Sequence, residues 1–128
     1  MDKKLNKTLM GYAEEILQSQ DCKLFKSPGL IHESYNGQCS ALGVSVLTIG
    51  LEATIAVYYQ DKDGAACRRK LLKVVYMILK KNGDTTIECF DDFVRGVLNP
   101  KADNAKLKTA VINCSVALKQ VIRTYKLG

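Results

Sequence analysis

Gly50-Leu51-Glu52-Ala53-Thr54-Ile55-Ala56-Val57-Tyr58 decides how this chain is read. Its β-branched residues give it strand propensity, as they do Val44-Ser45-Val46-Leu47-Thr48-Ile49 just before it. Helical spacing of Leu51, Ile55 and Tyr58, with helical periodicity on both sides, makes a short helix over 51–60 the more economical assignment. Gly50 then marks a turn or a close packing contact where this helix begins.

Working outward, residues 2–20 read as a first helix, with Leu5, Leu9, Tyr12, Ala13, Ile16 and Leu17 at helical spacing. Lys26-Ser27-Pro28-Gly29 is a connector, and a second helix runs from about 31 to 48 with Leu42, Val46 and Ile49 as its later apolar stripe. Gly37 and Gly43 each weaken it by roughly 1 kcal/mol relative to alanine, which leaves a break near Asn36-Gly37 open. Asp61-Lys62-Asp63-Gly64 reads as a turn, followed by a fourth helix over 65–81 that stops at Asn82-Gly83. Thr85-Thr86-Ile87-Glu88 has the capping-box pattern and is expected to start a fifth helix reaching Leu98. Asp103 or Asn104 caps a long sixth helix ending near Lys126. No strong strand pattern remains, so the expected fold is all-α: a compact single-domain bundle of five to six helices spanning 1–128.

With 128 residues, 47% hydrophobic and 25% charged, the chain is long enough to bury one core. No apolar run reaches the roughly 18 residues needed to span a bilayer, and Met1-Asp2-Lys3-Lys4-Leu5 has no signal-peptide character, so a cytoplasmic location is expected. Cys22, Cys39, Cys67, Cys89 and Cys114 form no C-x-x-C or zinc spacing and read as small apolar fillers in a reducing compartment.

The net charge of +6 is unevenly spread. Residues 67–83 carry Arg68, Arg69, Lys70, Lys73, Lys80 and Lys81 with no acid. Residues 101–128 carry Lys101, Lys106, Lys108, Lys119, Arg123 and Lys126 against Asp103 alone. Between them, 84–100 is acidic through Asp84, Glu88, Asp91 and Asp92. On a wheel of about 100° per residue, Arg69, Lys73, Tyr76 and Lys80 fall within about 60°, opposite Leu71, Val75, Ile78 and Leu79. Lys108, Lys119, Arg123 and Lys126 form a second stripe about 120° from the apolar face of the last helix, Leu107, Cys114, Leu118, Val121 and Tyr125. Cations a turn apart on a rigid element suit a polyanion, and Tyr76 is positioned to stack on an unpaired base. The expected nucleic-acid-binding set is Arg68, Arg69, Lys73, Tyr76, Lys80, Lys108, Lys119, Arg123 and Lys126; the alternative is two solvated helix faces.

No catalytic constellation emerges. His32 has no second histidine for a metal site, and Asp91-Asp92 and Asp61-x-Asp63 are explained by capping and solvation. Ser40, Ser45 and Ser115 have no base nearby in sequence, and the phosphate-loop, dinucleotide and nucleophile-elbow motifs do not occur. No cofactor, metal or small-molecule substrate is expected.

The Gly50–Tyr58 stretch resembles the small helical subunit of type III-B CRISPR RNA-guided effector complexes, the Cmr small subunit family. That family has a Gly-Leu-x-x-Thr-Leu-Ala-Phe-like stretch, matched here by Gly50, Leu51, Thr54, Ile55 and Ala56, with Val57-Tyr58 near its aromatic end. Glu52 stands where the family more often has a small or amide residue, and Val57 displaces the aromatic by one position. The resemblance implies a non-catalytic subunit in antiviral defence. Copies of it stack head to tail beside other effector subunits and line the channel in which guide RNA pairs with target RNA. Two other readings compete. One is a protein-interaction adaptor whose basic faces bind an acidic protein partner, with Ile112 and Val116 as anchors. The other is a DNA-binding regulator, which the scarcity of Asn, Gln and Ser on the charged face of 67–81 disfavours.

Overall fold

The computed structural model describes residues 1–19, 24–61 and 66–128. Cys22 and residues 62–64 of the expected turn lie outside the described residues. Helix α1 spans Lys3–Leu17, and Asp2 caps it by accepting the amides of Lys4 and Leu5 at 2.7 and 3.2 Å. Helix α2 (Ser34–Ile49) runs unbroken through Gly37. Burial of Tyr35, Cys39, Leu42 and Val46 along one side explains why. Each large buried side chain contributes about 1.5–3 kcal/mol, which outweighs a glycine penalty of about 1 kcal/mol.

Helices α3 (Leu51–Gln60), α4 (Arg68–Lys81), α5 (Phe90–Leu98) and α6 (Ala105–Ile122) complete an all-α bundle of six helices among the described residues. Gly50 joins α2 to α3 directly, at φ 91° and ψ 162°, a conformation open essentially to glycine alone. The expected α3 thus forms, with Leu51, Thr54, Ile55 and Tyr58 buried. Thr54 Oγ1 donates to the Gly50 carbonyl at 2.8 Å and lies 2.7 Å from Ser45 Oγ, so this polar side chain is buried with partners on both sides of the hinge. Helix α4 ends as expected: Gly83 at φ 81° lets the Gly83 and Asp84 amides close back on the carbonyls of Lys80 and Leu79.

Three expectations are corrected. Strands do form: β1 (Phe25–Ser27) and β2 (Leu30–Ile31) make an antiparallel hairpin, and β3 (Lys126–Leu127) pairs in parallel with β2. The last helix therefore stops at Ile122, tightened by amide bonds from Thr124 to Val121 and from Tyr125 to Ile122, and Lys126 sits on a strand rather than on the helical stripe. The capping box does not operate either. Helix α5 starts at Phe90 with Cys89 as its N-cap, because Glu88 turns to Lys80, 2.5 Å away, instead of back to the helix.

The core lies where α4 meets α1, α3 and α6, with Leu71, Val75, Ile78 and Leu79 fully enclosed. Helices α2 and α6 run antiparallel: Lys119 meets Ser40, and one turn back along α6 Ser115 faces Gly43, one turn further along α2. A Cβ at Gly43 would lie 3.4 Å from Ser115 Oγ, so small residues set how closely the two helices approach. No described helix is long and apolar enough to cross a membrane.

Gly50→Ala forces a side chain into a glycine-only conformation and is expected to lower stability by about 1–3 kcal/mol, read as a lower denaturant midpoint at unchanged slope. The buried thiols generate a pH dependence. Desolvation pushes Cys39 and Cys114 up to about 12, with Lys119 opposing it at Cys39 and Asp84 adding to it at Cys114. An unfolded thiol ionises near pH ~8.5 while the folded one stays protonated, so this contribution is intact below about pH 8.5 and is lost as pH rises toward about 12. Denaturant titrations across that range should show falling stability, and iodoacetamide should label the exposed Cys89 before either buried thiol.

Candidate nucleic-acid interface

Arg68, Arg69, Lys80 and Lys81 of α4 do not stand free. Arg69 lies over the Tyr59 ring at 3.8 Å and 3.8 Å from Asp91, and Tyr59 in turn donates its hydroxyl to Asp91. That hydrogen bond, more than burial, holds the Tyr59 hydroxyl above its ordinary pKa. Arg68 sits 5.9 Å from the Tyr58 ring, and its amide is accepted by Asp61 at 2.8 Å. Lys80 pairs with Glu88, and Lys81 with Glu15 at 3.0 Å. The acidic segment 84–92 therefore folds back over the basic helix. On this stripe, Lys73 is exposed and forms no ion pair with any described residue.

Tyr76 is a correction. It points in the direction the wheel gives, but α5 covers it: its ring packs 5.6 Å from Phe90 and 5.1 Å from Phe93, and its hydroxyl donates to the Ile87 carbonyl. Only 4% of Tyr76 is exposed, so it is not available to stack on a base. Burial raises its hydroxyl pKa.

The second stripe divides into three places. Lys108 is exposed on the first turn of α6, near Glu52, whose carboxyl is held low chiefly by the 3.0 Å hydrogen bond from Asn104. Lys126 is exposed on β3. Lys119 and Arg123, one turn apart, edge an open groove of about 780 Å³ between α2 and α6. The small residues Ser40, Gly43 and Ser115 line it along the helix crossing, and Val44, Leu47 and Val116, exposed by 63%, 67% and 43%, make its apolar walls. Ile112, also expected on an adaptor surface, is half-buried and packs against the core. Lys119 Nζ donates to Ser40 Oγ.

Sequence reasoning missed this groove. Its signal is the crowding of Leu42, Val44, Val46, Leu47 and Ile49 around all sides of α2, more apolar surface than one buried face requires. Among the described residues, no group of three or more His, Cys, Asp or Glu side chains converges to hold a metal ion. Asp91 and Asp92 occupy the first turn of α5, where carboxylates favour the helix dipole.

No protein-family model matches this chain, and neither a curated protein nor a solved structure does.

Because Tyr76 is a core residue, Tyr76→Phe leaves the Ile87 carbonyl without its donor. It is expected to lower stability by about 1 kcal/mol in chemical denaturation and to leave affinity for single-stranded RNA unchanged.

Proposed function

We propose that this chain is a non-catalytic small subunit of a type III-B-like CRISPR RNA-guided effector complex. Several copies stack there and present basic faces to the channel where guide and target RNA pair. In such a machine base pairing reads the sequence, and protein subunits supply shape and charge. The resemblance carried by Gly50, Leu51, Thr54, Ile55 and Ala56 supports this reading, and so does a six-helix bundle in which that stretch is a buried helix start. In this role the Gly-Leu segment is scaffold, and cations elsewhere meet phosphate.

The observation that carries the reading is a set of exposed cations, Lys73, Lys108 and Lys126, that form no ion pair with described residues. Arg68, Arg69 and Lys80 contribute less, because each is already engaged by an aromatic ring or a carboxylate of its own chain. Surface lysines of this kind bind phosphate without base preference and release counterions, so affinity falls steeply with salt.

Combined Lys73→Glu, Lys108→Glu and Lys126→Glu reversal should weaken target-RNA capture by the assembled complex at least ~tenfold. In the isolated chain it should make the slope of log affinity against log salt shallower by about two to three. Capture unchanged by the triple reversal overturns the reading. Co-purification with protein partners after nuclease treatment, with no guide RNA recovered, favours the adaptor instead, a second reading that the exposed aliphatic walls of the α2–α6 groove support.

A further inference from the structure

We infer that the α2–α6 groove is the docking site for an acidic amphipathic helix of a partner protein. The groove exists because Gly43, Ser40 and Ser115 let the two helices approach closely while Val44, Leu47 and Val116 rise on either side. Among the described residues these are three of the six large apolar side chains most open to solvent, and here they share one concave surface. Aliphatic walls of this kind gain by excluding water against another apolar surface.

RNA is a poor occupant. No aromatic ring lines the groove to stack on a base, and branched aliphatic side chains offer phosphate nothing. A helix suits it better. The α6 wall runs from Ser115 to the helix end at Ile122 and its C-cap Arg123, about 12 Å at 1.5 Å per residue, or a little over two turns. That length accepts apolar anchors at i, i+4 and i+7 of a bound helix.

Charge settles the chemistry of the partner. Lys119 and Arg123 stand one turn apart on the same wall, and no Asp or Glu lines the groove. Carboxylates one turn apart on the incoming helix, beside its apolar anchors, would meet both cations, and Arg123 presents a fork able to grip a carboxylate with two hydrogen bonds. A lysine-flanked helix would be repelled by the same pair. The inference stands apart from the RNA reading, because Lys119 and Arg123 are not among the residues whose reversal tests that reading.

The test is selection of a displayed library of helical peptides against the full chain, with leucine fixed at i, i+4 and i+7 and flanking positions randomised. Enrichment of Asp and Glu at the flanks is expected, with saturable binding that shifts the amide resonances of Val44, Leu47 and Val116. Leu47→Asp, at a site 67% exposed and so harmless to folding, should weaken the selected peptide at least ~tenfold. Val44→Asp should repeat the effect, and the Lys119→Glu, Arg123→Glu double variant should reverse the preference toward basic flanks. Thermal unfolding of each variant confirms that the fold is retained. Failure to enrich acidic flanks, or peptide binding indifferent to both aspartate variants, overturns the proposal. So does loss of a short single-stranded RNA from Leu47→Asp without loss of the peptide, which assigns the groove to RNA. Self-association of the wild-type chain abolished by Leu47→Asp overturns a separate partner in favour of a second copy.

Discussion

Burial of helix α4 is the constraint from which the charge layout follows. Leu71, Leu72, Val74, Val75, Tyr76, Ile78 and Leu79 are all enclosed, so half of a fourteen-residue helix faces protein. At about 1.5–3 kcal/mol for each large side chain removed from water, this burial far exceeds any single electrostatic contact on the surface. Its cations are confined to the narrow strip left over. Helix α5 must also cover its own Phe93, Val94 and Val97, and it does so by lying against α3 and α4, which carries Asp91 and Glu88 to the cations. Hydrophobic packing places these acids, and the ion pairs follow from it; exposed pairs of this kind contribute at most about 1 kcal/mol.

Features coded by a few adjacent residues were legible in the sequence. The start of α3 follows from Gly50 and the spacing of Leu51, Ile55 and Tyr58, and the end of α4 from Asn82-Gly83, because glycine at positive φ is a local requirement. What depended on distant residues was not legible. Strand β3 exists only because residues 126–127 return to residues 30–31, a pairing with no signature in either short segment. The Thr85–Glu88 pattern has the right letters, but Lys80, eight residues away in sequence, competes for the carboxylate, and Phe90 is drawn to the Tyr59 and Tyr76 rings. A wheel gives the direction of Tyr76 correctly; it holds no information about the helix that covers it.

The same reasoning reshapes the basic C-terminal block. As a string, residues 101–128 look like one cationic face. In the fold, Lys108 lies near Glu52 at the start of α6, Lys119 and Arg123 edge a groove with aliphatic walls, and Lys126 leaves the helix for a strand. A polyanion would find separate anchor points rather than a continuous stripe. That favours a subunit contributing a few phosphate contacts within a larger assembly over one that tracks a nucleic acid strand alone.

The α2–α6 seam adds a second requirement. Replacing the small residues at this crossing with larger side chains would push the helices apart and fill the groove, with no gain to a core already closed by Leu42, Val46, Cys114 and Leu118. A bundle needing only internal stability could carry lysine or glutamate at Val44 and Leu47, since neither is enclosed by its own chain. Aliphatic walls beside two cations contribute little to the isolated fold and much to an interface whose partner supplies apolar and acidic groups together. On the proposed reading, the dispersed cations serve phosphate and the shaped groove serves protein, and each is more use to an assembled subunit than to a protein acting alone.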